Sequence, residues 1–309
     1  MLKKWFSFPV VRAGAIAVLA FALLMAFPTT RAMAGDLLNL FRVQQVAVLP
    51  IDLTGLESMT GNEALASQMS ALIADSTEVT DEPGEPVVAA NAEEATTSAG
   101  FNVRLPADQT PSHIYVTDSS AFNLVVDRAK AQAFIEAAGR TDLILPESID
   151  GAEIAVSIPA TVNAAFGVCP EPRTEKPDDM GEMEGDRAGD YPDCIILTQM
   201  PSPLINAPEG LDMAQLAQIG LEFSGMSREE AAAFTATVDW TSTLVIPVPR
   251  RATAYEDISV DGVTGKLIQR VTDYSPEYAL IWVKNGIIYA ISGTGTNTAP
   301  AFEIVDALP

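Results

Sequence analysis

The chain has 309 residues, with 18 Lys and Arg against 41 Asp and Glu and a formal net charge of -23. The first 34 residues hold Lys3, Lys4, Arg12 and Arg31 and no acid, so the remainder carries 14 bases against 41 acids, a net of -27. Such a body excludes ordinary nucleic-acid binding, which needs a basic face, and docking on anionic lipid by charge, while 48% hydrophobic residues exclude disorder throughout.

The N-terminus reads as a targeting segment. Lys3, Lys4 and Arg12 flank Ala13 to Phe27, an uninterrupted apolar run. A helix over that run reaches about 22 Å, and one begun at Val10 about 27 Å, against a hydrocarbon core of roughly 30 Å. In the longer version Arg12 snorkels to the interface. Ala32-Met33-Ala34 then offers an A-x-A cleavage pattern. Two outcomes stay open: a signal peptide cut after Ala34, or a single-pass membrane anchor over residues 1–34. Leu37, Leu38, Leu40 and Phe41 would continue the anchor's helix along the outer face of the membrane. Positive flanks stay inside, so the body faces outward in both cases, bound to the membrane or secreted.

Residues 35–100 read as a strand, a helix and an acidic linker. Val46 to Asp52 is rich in branched residues and suits a strand. Asn62 to Ala74 is expected to be helical, with Leu65, Met69, Leu72 and Ile73 on one face. Asp75 to Gly100 shows no apolar period and reads as a flexible loop.

Residues 101–207 read as an α+β region. Phe101 to Leu105 and His113 to Val126 look like strands, and Ala129 to Ala138 like a helix ended by Gly139. Ala152 to Ile158 is a further strand, after which Pro159 is expected to open a short helix closed by Gly167. An acidic loop spans 170–193, with nine acids and three bases from Glu171 to Asp193. Cys194 to Thr198 returns to strand.

Residues 208–309 form a C-terminal α+β region that stands alone or joins 101–207 in one domain. Asp212 to Phe223 is helical, and Ser227-Arg228-Glu229-Glu230 is a capping box opening the next helix. Thr243 to Val248 is a strand. Asp261-Gly262 and Asn285-Gly286 each sit between two apolar runs, the signature of a hairpin turn. Ala299 to Leu308 is expected to be a helix laying Phe302 and Val305 on the sheet. The predicted fold is α+β: a mainly antiparallel sheet with helices packed on one side, preceded by one N-terminal transmembrane or signal helix.

Few residues fall into a recognisable chemical pattern. His113 is the single histidine, in a predicted strand, and reads as a structural or surface residue. There is no G-x-S-x-G elbow, H-E-x-x-H or P-loop. Gly293-Thr294-Gly295 reads as a plain strand-to-helix turn, so no cofactor is expected. Trp240 and Trp282 suit core packing better than a sugar or lipid pocket. Asp178, Asp179, Glu182, Glu184 and Asp186, with interspersed glycines, form a weak calcium candidate of hard oxygen ligands, but without EF-hand spacing. Cys169 and Cys194 in an exported chain are expected to form a disulfide.

Three stretches occur together: Leu40-Phe41-Arg42-Val43-Gln44-Gln45 after the apolar segment, Thr243 to Pro249 followed by Val260 to Gly265, and Trp282 to Gly293. The set resembles the extracytoplasmic part of single-pass bacterial membrane proteins of unknown function, some described as anti-sigma-factor-like. Their outer domain is distantly similar to lipoprotein-sorting and envelope-stress regulator domains. The resemblance covers 35–52 and 240–309. About twelve residues precede the apolar run, too few for a cytoplasmic sigma-binding domain, so the resemblance implies the outer module alone and supplies no catalytic residues. The sequence therefore predicts a non-enzymatic envelope protein whose outer domain binds or senses a protein, peptide or lipid. A carboxylate hydrolase or a structural envelope component are the alternatives.

Overall fold

The computed structural model describes residues 43–51, 63–170, 191–208, 210–240, 242–250, 253–270 and 276–309. The N-terminal apolar segment and the calcium candidate Asp178, Asp179, Glu182, Glu184 and Asp186 lie outside them. No helix among the described residues is long and apolar enough to cross a membrane. In chain order they form β1 (Gln45–Ile51), α1 (Glu63–Ser76), β2 (Thr77–Asp81), β3 (Val87–Val88), α2 (Ala92–Ala99), β4 (His113–Thr117), β5 (Ser120–Val125) and α3 (Arg128–Ala137). There follow β6 (Glu153–Ile158), β7 (Thr161–Phe166), β8 (Ile195–Pro201), β9 (Leu204–Asn206), α4 (Met213–Phe223), α5 (Arg228–Thr237) and β10 (Thr243–Pro249). The chain ends in β11 (Thr253–Val260), β12 (Val263–Arg270), β13 (Glu277–Lys284), β14 (Ile287–Thr294) and α6 (Ala299–Asp306).

The architecture is α+β and mostly antiparallel. One sheet has eight strands in the order β11-β12-β13-β14-β8-β7-β4-β3, and a second has four, β2-β5-β6-β9. Two hairpin turns fix the register of the large sheet. Asp261 and Gly262 take φ of 50° and 78°, and Asn285 and Gly286 take 54° and 74°, the left-handed pair that a type I′ turn requires. The capping box of α5 also forms as the sequence predicts, with Ser227 and Glu230 bonding each other's backbone N–H.

The inner face of the large sheet carries the main core. Pairing aligns Ile114, Ala164, Leu197, Ile291, Leu280 and Leu267 in one row across six strands, and all six are buried. Ala95 of α2 and Ala301, Ile304 and Val305 of α6 close over this face. Between them runs the segment 101–106. It joins no ladder, so the strand expected at Phe101 to Leu105 is absent. Its pairing comes from a side chain instead: the fully buried Gln199 amide accepts from Arg104 N (2.9 Å) and donates to Arg104 O (2.8 Å).

The outer face is half covered by a ribbon of β1 and β10, which pair in parallel from Gln45↔Thr243 to Ile51↔Pro249. Val46, Val48, Ile246 and Val248 pack on the sheet, while Leu49 and Val245 face Leu221 of α4 and Ala231 of α5. Burial on both faces explains why both strands read as continuous apolar runs. It also places helices on both sides of the large sheet, not on one as the sequence suggested.

Two further expectations fail for identifiable reasons. Pro159 does not open a helix: residues 161–166 are β7, with Val162, Ala164 and Phe166 pointing into the core. β4 and β5 pair with β7 and β6 as one long ribbon that bends at 118–119 and 159–160. A proline lacking an N–H suits that break in the ladder. Asp75 to Gly100 is not a loop either, because it holds β2, β3 and α2. Asn91 caps α2 by accepting from Glu94 N at 3.0 Å, and Gly100 ends it at φ 74°. α2 shows no apolar period because it buries a single residue, Ala95. The helix α1 forms as its period predicts, yet none of its residues is fully buried and Ile73 is 59% exposed.

Candidate ligand-binding cleft

Alternation along the strands fixes what the outer face presents. One row runs His113, Ala165, Ile196, Ser292, Ala279, Ile268 and Tyr255 across seven strands. Its centre lies beyond the end of the β1–β10 ribbon. There the face opens into a cleft of about 460 Å³. Ile196, Ala279 and Ile268 line the sheet side, Val248 and Pro249 one wall, and Cys194 and Tyr191 the opposite one. The second wall is tied down twice. Thr294 Oγ1 lies 3.1 Å from the carbonyl of Tyr191 and 3.0 Å from that of Pro192, and Cys194 is disulfide-bonded to Cys169.

Charge is scarce among the described residues of the cleft. Of the described lining residues only Arg270 and Glu277 are ionisable at neutral pH, and they pair with each other at 2.6 Å at the rim. Thr253 Oγ1 is shut off from solvent with no hydrogen-bond partner among the described residues, which leaves one neutral donor-acceptor at the cleft edge. Gly293 also lines the cleft, and a Cβ there would collide with the ring and hydroxyl of Tyr278. The glycine lets Tyr278 lie flat across β14, where burial pushes its phenol pKa up.

A separate charged cluster closes the other end of the sheet. The turn residue Asp261 accepts from both arms of the Arg104 guanidinium, from Lys284 Nζ at 2.6 Å and from Trp282 Nε1 at 3.3 Å. Arg104 also donates to the carbonyl of Pro309 at 2.8 Å and lies over the Tyr289 ring. The cluster thus pins the β11–β12 turn, the β13–β14 hairpin, the 101–106 segment and the C-terminal residue together. Burial alone would raise the Asp261 pKa, but the hydrogen bonds from Arg104 and Lys284 outweigh it and hold it at about 2, below the ordinary 3.8. A depressed carboxylate pKa stabilises the fold above the unfolded value. That contribution, on the order of 1–2 kcal/mol after solvent screening, is lost as the pH falls from about 4 towards 2. Asp261→Asn keeps a residue that tolerates positive φ but leaves two cations facing each other. We expect it to lower stability at pH 7 by about 2–3 kcal/mol, with a shallower loss below pH 4 than the native chain. Urea titrations at pH 7 and pH 3 check both; equal midpoints for the two proteins at pH 7 would show that the cluster contributes nothing.

The sequence candidates fall in different places. Cys169 and Cys194 are joined, and Cys194 forms part of the cleft wall. His113 stands on the outer face of β4, its ring 5.8 Å from that of Tyr115. Trp282 is fully buried and stacked on Tyr289 at 5.1 Å, on the inner face and away from the cleft. Trp240 follows α5, its ring in a T-shaped pair with that of Phe234 and Nε1 donating to Thr235 O. The sequence reading did not single out the cleft residues Ile196, Ile268 and Ala279, because each is one apolar position in an ordinary strand. No protein-family model, no curated protein and no solved structure matches the chain.

Proposed function

We propose that this chain is a non-enzymatic envelope protein whose outward-facing α+β domain binds an apolar ligand in the outer-face cleft. Its N-terminal apolar segment either anchors it in the membrane or is removed after Ala34. The observation that carries the reading is the cleft itself: a concave, largely apolar site with a few polar groups at its rim is the usual form of a small-molecule site. The alternative of a carboxylate hydrolase needs two convergent acids, and the described lining brings only Glu277, already paired with Arg270. The resemblance to the outer module of single-pass envelope proteins agrees with a binding role.

The test is a titration with N-phenyl-1-naphthylamine, an uncharged dye that fluoresces in apolar surroundings. Saturable binding at one site per chain is expected. Ala279→Glu, which places a charge on the cleft's sheet side, is expected to weaken binding at least about tenfold, since burying an unpaired carboxylate costs more than 1.4 kcal/mol. Circular dichroism checks that the variant is folded. Undiminished binding by a folded Ala279→Glu protein would remove the cleft from the account.

A further inference from the structure

We infer that the ligand is an amphiphile with an uncharged, hydroxyl-rich head group, its tail in the cleft and its head on a polar stripe that continues the same sheet face. This rests on the reading of the cleft as an apolar-ligand site. The row next to His113, Ala165 and Ile196 is Tyr115, Asn163 and Thr198. All three are half-buried and share the outer face with Ile196, Ala279 and Ile268. Neighbouring strands lie about 4.8 Å apart. The apolar floor therefore extends about 14 Å from Ile268 to Ile196, and the stripe about 10 Å further, from β8 to β4. One molecule roughly 24 Å long would cover both.

The chemistry of the stripe selects the head group. Thr198 Oγ1 and Asn163 Oδ1 are hydrogen-bonded at 2.6 Å. With the threonine donating, its oxygen lone pairs and both N–H groups of Asn163 have no other partner among the described residues and can meet a ligand. Adjacent acceptors and donors of this kind suit neighbouring hydroxyls. The stacked Tyr115 and His113 rings beside them offer a flat face for the C–H side of a sugar ring. An anionic head group finds no lysine or arginine on the stripe, meets Arg270 already neutralised by Glu277, and approaches a body of strongly negative charge. A cationic head group finds no carboxylate there among the described residues. A neutral polyol satisfies every group present.

The experiment uses the full chain in phosphatidylcholine nanodiscs with a decyl maltoside carrying a photoactivatable diazirine in its tail. Crosslinked peptides are identified by mass spectrometry. Crosslinks to the β8 and β13 peptides containing Ile196 and Ala279 are expected, displaced by excess decyl maltoside but not by sodium decanoate or free maltose at equal concentration. Asn163→Ala and, separately, Thr198→Val should each lower the affinity for the maltoside probe, read as crosslink yield against probe concentration, about five- to tenfold, while displacement of N-phenyl-1-naphthylamine by sodium decanoate is unaltered. Crosslinks at the cleft that decanoate displaces as well as decyl maltoside would overturn the head-group assignment and leave the cleft intact. Crosslinks confined to other peptides would overturn the cleft reading itself.

Discussion

Trp282→Ala is expected to lower the unfolding free energy by about 3–5 kcal/mol, the range for emptying a large aromatic from a packed core. Trp282 is fully buried on the inner face of β13, near the strand's hairpin end, and stacks on Tyr289 with ring planes 10° apart. Gly265 of β12 is its cross-strand partner, and a Cβ on that glycine would lie 3.1 Å from the tryptophan Cβ. The same Cβ would meet Val260 Cγ1 at 2.5 Å and the carbonyl of Ile281 at 2.9 Å, so β12 lies tight against β13 at this pair. The indole N–H also donates to Asp261, so alanine removes one bond from the charged cluster as well. Trp282→Phe keeps most of the stacking and should lose markedly less. Urea unfolding followed by far-ultraviolet circular dichroism measures both; a loss below about 1 kcal/mol for alanine would mean that the core is not built around this residue.

Cys169→Ser is expected to lower stability by about 3–4 kcal/mol under oxidising conditions, the loop-closure contribution for residues 25 apart. The bond sits just beyond Phe166↔Ile195, the last pair of the β7–β8 ladder, so it closes the acidic connection at its base. The approach of the two chain segments is prepared locally. Gly167 has φ 81°, and a Cβ there would run into the carbonyl of Asp193; the glycine is what lets residues 167 and 193 touch. In a thiol reductant the native protein should fall to the stability of the variant. A gap between the two that persists in reductant would assign the loss to packing at residue 169 instead of to the cross-link.

Local chemistry carried the readable part of the fold. Asn285-Gly286 and Asp261-Gly262 demand positive φ at both positions, and few other structures accept that demand. Ser227 and Glu230 announce a helix start through two backbone bonds within one turn, and the pairing of two cysteines follows once export is assumed. What stayed hidden depends on distant partners. The parallel pairing of β1 with β10 joins Val46 to Leu244, and nothing within either strand specifies the other. Arg104 and Asp261 are 157 residues apart, and the arginine sits in a segment whose only ladder is one glutamine amide. The expected helix at Pro159 shows the opposite failure. A proline preference for first helical turns lost to the alternation of Val162, Ala164 and Phe166, in which small alanines blurred the period. The cleft combines both problems. Its apolar residues come from separate strands, and only the register assembles them.

On the proposed function, the outer face of the large sheet, and not its packed inner face, receives an apolar ligand. Isoleucine methyl resonances report on the two faces at once, because Ile196 and Ile268 line the cleft while Ile114 and Ile304 lie in the core beneath. On titration with N-phenyl-1-naphthylamine, the Ile196 and Ile268 methyl signals should shift together and saturate at one equivalent, with Ile114 and Ile304 unmoved. Saturated dye binding with the Ile196 and Ile268 signals unchanged would contradict it.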